Sequence, residues 1–147
     1  MDELTYPEII PLKIIEGPLG DVRHILKSGE NQFIAFGEAY FSTVNFGAIK
    51  GWKKHTRMQS NIVIATGEVK FVLYDARENS RDYGKTKEIT LSPIHYQRLT
   101  IPSGIWFAFM GTGKEQNLLL NIASILHDPT ECENLPLENN YIPYKFF

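Results

Sequence analysis

Between Gly47 and Gly67 the chain reads GAIKGWKKHTRMQSNIVIATG, and its polar side chains fall at spacings that could do chemistry. After Gly47 come five residues, then Lys53, one residue, His55, three residues, Gln59, and at the end a turn glycine, Gly67. Imidazoles and a carboxylate in that frame would hold a divalent metal. A lysine ammonium, however, has no lone pair to give, and a neutral amide is a poor substitute for a carboxylate. His55 is the one good ligand left, and one imidazole does not make a zinc or iron site. No metal is therefore expected. The same residues suit other tasks. Histidine titrates near neutrality and can act as a general base. Lysine can do so only when burial or neighbouring cations lower its pKa. Lys50, Lys53, Lys54, His55 and Arg57 also form a short basic cluster suited to an anion. Lys53 and His55 are the candidates for catalysis, and Lys50, Arg57 and Gln59 for ligand binding.

The elements that must position these groups read as strands. Residues 9–15 alternate weakly, and residues 33–44 are rich in aromatic and β-branched types. Residues 61–65 and 69–74 flank the turn Thr66-Gly67-Glu68 and read as a hairpin. Residues 85–91 alternate charged and apolar, as a half-buried strand should. Residues 95–101 end at the turn Pro102-Ser103-Gly104, and residues 105–110 and 117–126 follow as two more strands, the last also the best helical rival. From Asp128 the chain is an irregular, proline-bearing tail. Short strands punctuated by glycine and proline argue an all-β sandwich or barrel, whose mouth or lumen can take a ligand. The period of two turns Glu38 and Tyr40 the same way, and carries His55, Arg57 and Gln59 inward together. Trp106 and Phe107, beside a turn, are placed either to stack on a ring or to pack in the core. Tyr40, Tyr74 and Tyr96 are candidate proton donors.

Composition narrows the partners. The chain has 147 residues, enough for one domain, 1–147, and carries a net charge of −2. With no basic stripe, a nucleic-acid polymer is not an expected partner. The one cysteine, Cys132, excludes a disulfide within the chain and suits a reducing compartment. No basic start followed by an apolar run opens the chain, and no apolar stretch approaches the ~20 residues that span a bilayer. A cytoplasmic protein without membrane insertion is expected.

The segments GEAYFSTV, KGWKKH, TGEVKFVLYDAR, LSPIHYQRLTIPSGIWFAF and IPYKFF resemble the dTDP-4-dehydrorhamnose 3,5-epimerase-like branch of the cupins, over residues 33–129. The resemblance implies a jelly-roll β-barrel, no cofactor, no metal, a nucleotide-linked keto-sugar as ligand, and a homodimer that pairs sheets or swaps N-terminal strands. It also implies roles. Lys50 stands for the family's phosphate-binding arginine and Lys53 for its general-base histidine. Phe107 stands for the second histidine, and residues 121–127, beginning at Asn121, for the tyrosine-bearing segment. Glu38 and Tyr40 fall where the family meets the nucleotide. The tail, 128–147, lacks a clear counterpart of the aspartate that orients the base. Arg77 matches a family arginine that ties the following loop. Tyr74, Trp106 and Asn121 join the ligand-binding candidates. Two functions follow: an epimerase or isomerase with Lys53 or His55 as base, or a barrel that binds the sugar nucleotide without turning it over.

Overall fold

The computed structural model describes residues 4–147. In chain order the strands are β1 (Glu8–Pro11), β2 (Ile14–Ile15), β3 (Val22–Arg23), β4 (Glu38–Thr43), β5 (Ile49–His55), β6 (Ser60–Thr66), β7 (Val69–Tyr74), β8 (Thr86–Leu91), β9 (Gln97–Ile101), β10 (Trp106–Gly111), β11 (Leu118–Ala123) and β12 (Cys132–Asn134). No helix occurs among the described residues. One five-stranded sheet runs β1-β9-β6-β11-β4 and the other β12-β5-β10-β7-β8, while β2 and β3 pair as a separate ribbon. Two facing antiparallel sheets joined by crossing connections make a jelly roll.

The expected hairpin across Gly67 does not form. β6 pairs with β9 and β11, whereas β7 pairs with β8 and β10, so the turn carries the chain from one sheet to the other. Gly67 has φ of 82°, a left-handed conformation that glycine adopts without a Cβ penalty. Asn117 fixes this corner: its Oδ1 accepts from the Glu68 amide at 2.9 Å, and its Nδ2 donates to the carbonyls of Val44 and Gly113. A buried asparagine that satisfies three backbone groups is a structural part, and so is the strand it opens, which is not helical.

The space between the sheets divides in two. Inward positions on β6 to β9 are apolar: Ile62, Ile64, Phe71, Leu73, Leu91 and Leu99 close a dry core, each fully buried side chain contributing about 1.5–3 kcal/mol. Inward positions on β4 and β5 are polar, and there the sheets enclose a cavity instead. The outer face of the β5-β10-β7 sheet carries a second core of Trp52, Val72, Tyr74, Trp106 and Ala108, covered by Ile142 and flanked by Leu135, Tyr144 and Phe146. The tail is thus less irregular than its prolines suggest. It adds β12 to the edge of the sheet, opposite β5, and seals the second core.

On the opposite face the guanidinium of Arg98, wholly buried, pairs with Glu30 at 3.0 Å and donates to the Ile25 carbonyl at 2.7 Å, pinning the segment before β4 onto the sheet. Arg77 makes a fork to both oxygens of Asp75 and reaches the Thr5 carbonyl, tying down the loop after β7. Burial works against the Asp75 carboxylate, but the hydrogen bonds from Arg77 and Ser80 outweigh it and hold its pKa below the ordinary value.

Candidate active site

β5 supplies the site, and a bulge in it decides which side chains meet. Opposite β10, Lys53 aligns with Phe107 and Lys50 with Phe109, so that Gly51 and Trp52 together face the single residue Ala108. The extra residue shifts the alternation. Lys50, Lys53 and His55 therefore all point into the cavity, while Trp52 points outward into the second core. A regular strand would have put Lys50 and Trp52 on one face and Lys53 and His55 on the other.

Facing them across the lumen are Tyr40 and Ser42 from β4 and Asn121 from β11, with Ile62, Phe107, Phe109 and Leu119 as apolar walls around about 260 Å³. A second chamber of about 360 Å³, lined by Glu38, Met58, His127, Glu131 and Cys132, shares Tyr40, Lys53 and His55 with the first. Sizes of this order suit a small-molecule ligand. The ammonium of Lys50 reaches across the gap between the sheets, donating to Ser42 Oγ at 2.9 Å and to the Thr43 carbonyl at 2.8 Å.

The strongest local arrangement is His55 with Glu131. The carboxylate, 3% exposed, contacts His55 Nδ1 through one oxygen and accepts the amides of Arg57 and Met58 through the other, each at 3.2 Å. Burial works to raise the Glu131 pKa, but the His55 contact and these amides prevail and hold it below the ordinary carboxylate value. An ionised carboxylate on Nδ1 makes that nitrogen the donor, so that in the neutral ring the lone pair is the one on Nε2. The imidazole also stacks on Phe107, ring centres 6.0 Å apart, which fixes its plane. Opposite, Asn121 Nδ2 donates to Tyr40 Oη at 3.0 Å, so the tyrosine hydroxyl accepts that bond and keeps its own proton to give into the lumen.

Several sequence expectations are corrected. β5 ends at His55, and residues 56–59 form the link to the other sheet, so the inward alternation stops there. Arg57 lies exposed at the rim, paired with Asp128 at 2.7 Å, and Gln59 turns away to donate to the Gln32 carbonyl. Tyr74 and Trp106 pack in the second core beneath the tail, on the wrong face for the cavity, with the Lys54 ammonium over the Trp106 ring. The tail, in which no counterpart of the family's aspartate was expected, does supply a carboxylate to an imidazole of the cavity, that of Glu131. It is one acidic residue of a polar tail segment, and its use depends on β12 folding back on β5, which no local pattern encodes. Among the candidate tyrosines, Tyr40 lines the cavity, whereas Tyr74 sits in the second core and Tyr96 lies under the Arg23 guanidinium. Lys50, Lys53, His55, Glu38, Tyr40 and Asn121 are brought together.

No family model matches the chain. A solved structure of a dTDP sugar isomerase from Desulfovibrio desulfuricans G20 superposes with a TM-score of 0.89 at 35% identity, covering 95% of this chain and 89% of that one. A probable low-salt glycan biosynthesis epimerase of Haloferax volcanii is 27% identical over 82% of this chain and 79% of its own length. The spore coat polysaccharide biosynthesis protein SpsL of Bacillus subtilis is 25% identical over 86% of this chain and 85% of its own.

Proposed function

The chain belongs to the dTDP-4-dehydrorhamnose 3,5-epimerase-like branch of the cupins, and from that premise we propose that it is an enzyme that moves a proton next to the ketone of a nucleotide-linked keto-sugar, of the dTDP-4-keto-6-deoxyhexose type, in surface-polysaccharide or deoxysugar synthesis. The observation that carries this reading is the His55–Glu131 pair, which presents an oriented imidazole nitrogen to the cavity. His55 takes the acidic C–H proton, the Lys53 ammonium stands by the developing enolate oxygen, and Tyr40, on the opposite wall, returns a proton to the other face of the carbon. The base role thus falls to His55, and Lys53 serves as its cationic neighbour. Lys50, whose ammonium lies at the gap between the sheets, is the cation that would meet the diphosphate.

Incubating the protein in deuterium oxide with dTDP-4-keto-6-deoxyglucose, and following C3 and C5 by NMR, tests the reading. Deuterium is expected at one or both carbons. Saturable binding of sugar nucleotides with no wash-in for any keto-sugar tried would assign the barrel to binding alone.

The chain is also proposed to act as a homodimer. The β2–β3 ribbon leaves Leu19 and Val22 on the surface, 101% and 58% exposed, an apolar edge that a second copy can cover. Light scattering should return twice the 16.8 kDa chain mass; a monomer at micromolar concentration would refute the pairing.

A further inference from the structure

Three asparagines are buried, Asn61, Asn117 and Asn121. Two of them use both ends of the amide. Asn61 accepts from Thr100 and donates to the Gln32 carbonyl, and Asn117 holds the corner described above. Asn121 differs. It is 5% exposed, its Nδ2 donates to Tyr40, and its Oδ1 has no hydrogen-bond partner among the described residues. An unpaired buried acceptor is unfavourable and uncommon. Of the three, this is the one whose side chain lines the cavity.

The surroundings say what would satisfy it. Around the cavity of about 260 Å³ the polar groups are mostly donors: the ammonium groups of Lys50 and Lys53 and the hydroxyl of Tyr40. Ser42 Oγ already accepts from Lys50, and the free nitrogen of His55 is reserved for carbon. Among the side chains that line this cavity, Asn121 Oδ1 is the buried acceptor with no partner among the described residues, and a ligand O–H would satisfy it. We propose that Asn121 Oδ1 accepts a hydrogen bond from a ring hydroxyl of the sugar, so that the site selects a sugar keeping that hydroxyl over its deoxy counterpart. The inference rests on reading the cavity as a keto-sugar site. The hydroxyl concerned lies beside the carbon that Tyr40 serves, because the same amide holds both groups.

Competition binding with dTDP-glucose and its singly deoxygenated analogues tests this in the wild type, in Asn121→Leu and in Asn121→Asp. The wild type should bind one analogue about 10- to 100-fold more weakly than the parent, since its absence leaves the oxygen unpaired. Asn121→Leu should bind that analogue and the parent alike, and Asn121→Asp, which retains an acceptor, should keep the preference. A cooperative thermal unfolding transition of Asn121→Leu like that of the wild type would show that the barrel is intact. Equal binding of every analogue by the wild type, or an unchanged preference in Asn121→Leu, would overturn the inference while deuterium wash-in left the keto-sugar reading standing. A wild type that neither binds nor exchanges any sugar nucleotide would remove both.

Discussion

Replacing His55 with asparagine is expected to slow deuterium exchange into the keto-sugar by about 10²- to 10⁴-fold, the usual worth of a positioned general base, with nucleotide binding close to wild type. The reason is chemical. Asparagine can still meet Glu131, but it has no basic lone pair to aim at carbon. Lys53→Ala should weaken exchange less, because removing a nearby cation leaves the base in place. If Lys53→Ala abolished exchange and His55→Asn did not, the two roles would be reversed. Glu131 is a positioning residue, and its variant tests how the base is oriented. Glu131→Gln can donate to Nδ1 and so stabilise the tautomer with its proton on the cavity side. A loss of about 10²-fold or more in kcat, with KM little changed, is expected. Glu131→Asp, which keeps the charge on a shorter arm, should recover part of it. A structural role alone would not separate Gln from Asp in kcat at constant KM.

The same carboxylate ties activity to the fold. The folded chain holds Glu131 below its unfolded pKa, so in acid the unfolded chain binds more protons. Its stabilisation is complete above the unfolded value and drains as the pH falls through the folded one. Because Glu131 lies in the tail just before β12, acid that protonates it loosens the base and the strand joining the tail to the barrel together.

The all-β architecture could be read in the sequence because alternation, turn glycines and prolines are local signals. Which strands pair is not local. The run on either side of Gly67 has the pattern of a hairpin, yet its halves enter different sheets, and the corner between them is held by Asn117, fifty residues on, whose amide accepts from the Glu68 backbone. The site was legible where it lay on one strand. Lys50, Lys53 and His55 could be singled out from spacing, yet that they share a face depends on the bulge at Gly51 and Trp52. Trp106 and Tyr74 were misplaced for the converse reason. An aromatic residue next to a turn reads the same whether it faces a lumen or a tail that folds over it, and here Ile142 and Tyr144 cover that face. Glu131 is one acidic residue among several in a polar segment, and only the return of the tail to β5 distinguishes it.

Tyr40→Phe is expected to separate the two halves of the reaction. His55 and Tyr40 stand on opposite sheets with the cavity between them. A carbon bound there can lose its proton to one wall and regain one from the other, and inversion requires both. Without the phenol, His55 still removes the proton and, after exchange with solvent, returns deuterium to the same face. Wash-in into recovered substrate should therefore persist, while formation of the inverted sugar falls by about 10²-fold or more. NMR reads both quantities in one sample, as deuterium content and as product configuration. Equal loss of wash-in and inversion would remove Tyr40 from the acid role and show that it holds the substrate. Unchanged inversion would leave Tyr40 outside the proton transfer altogether. The contact with Asn121 makes the acid assignment specific to the phenol. The amide donates to Oη and thereby favours the rotamer that aims the O–H into the lumen. Asn121→Asp, which would accept that proton instead, should lower inversion more than wash-in, following Tyr40→Phe in direction but not in full extent.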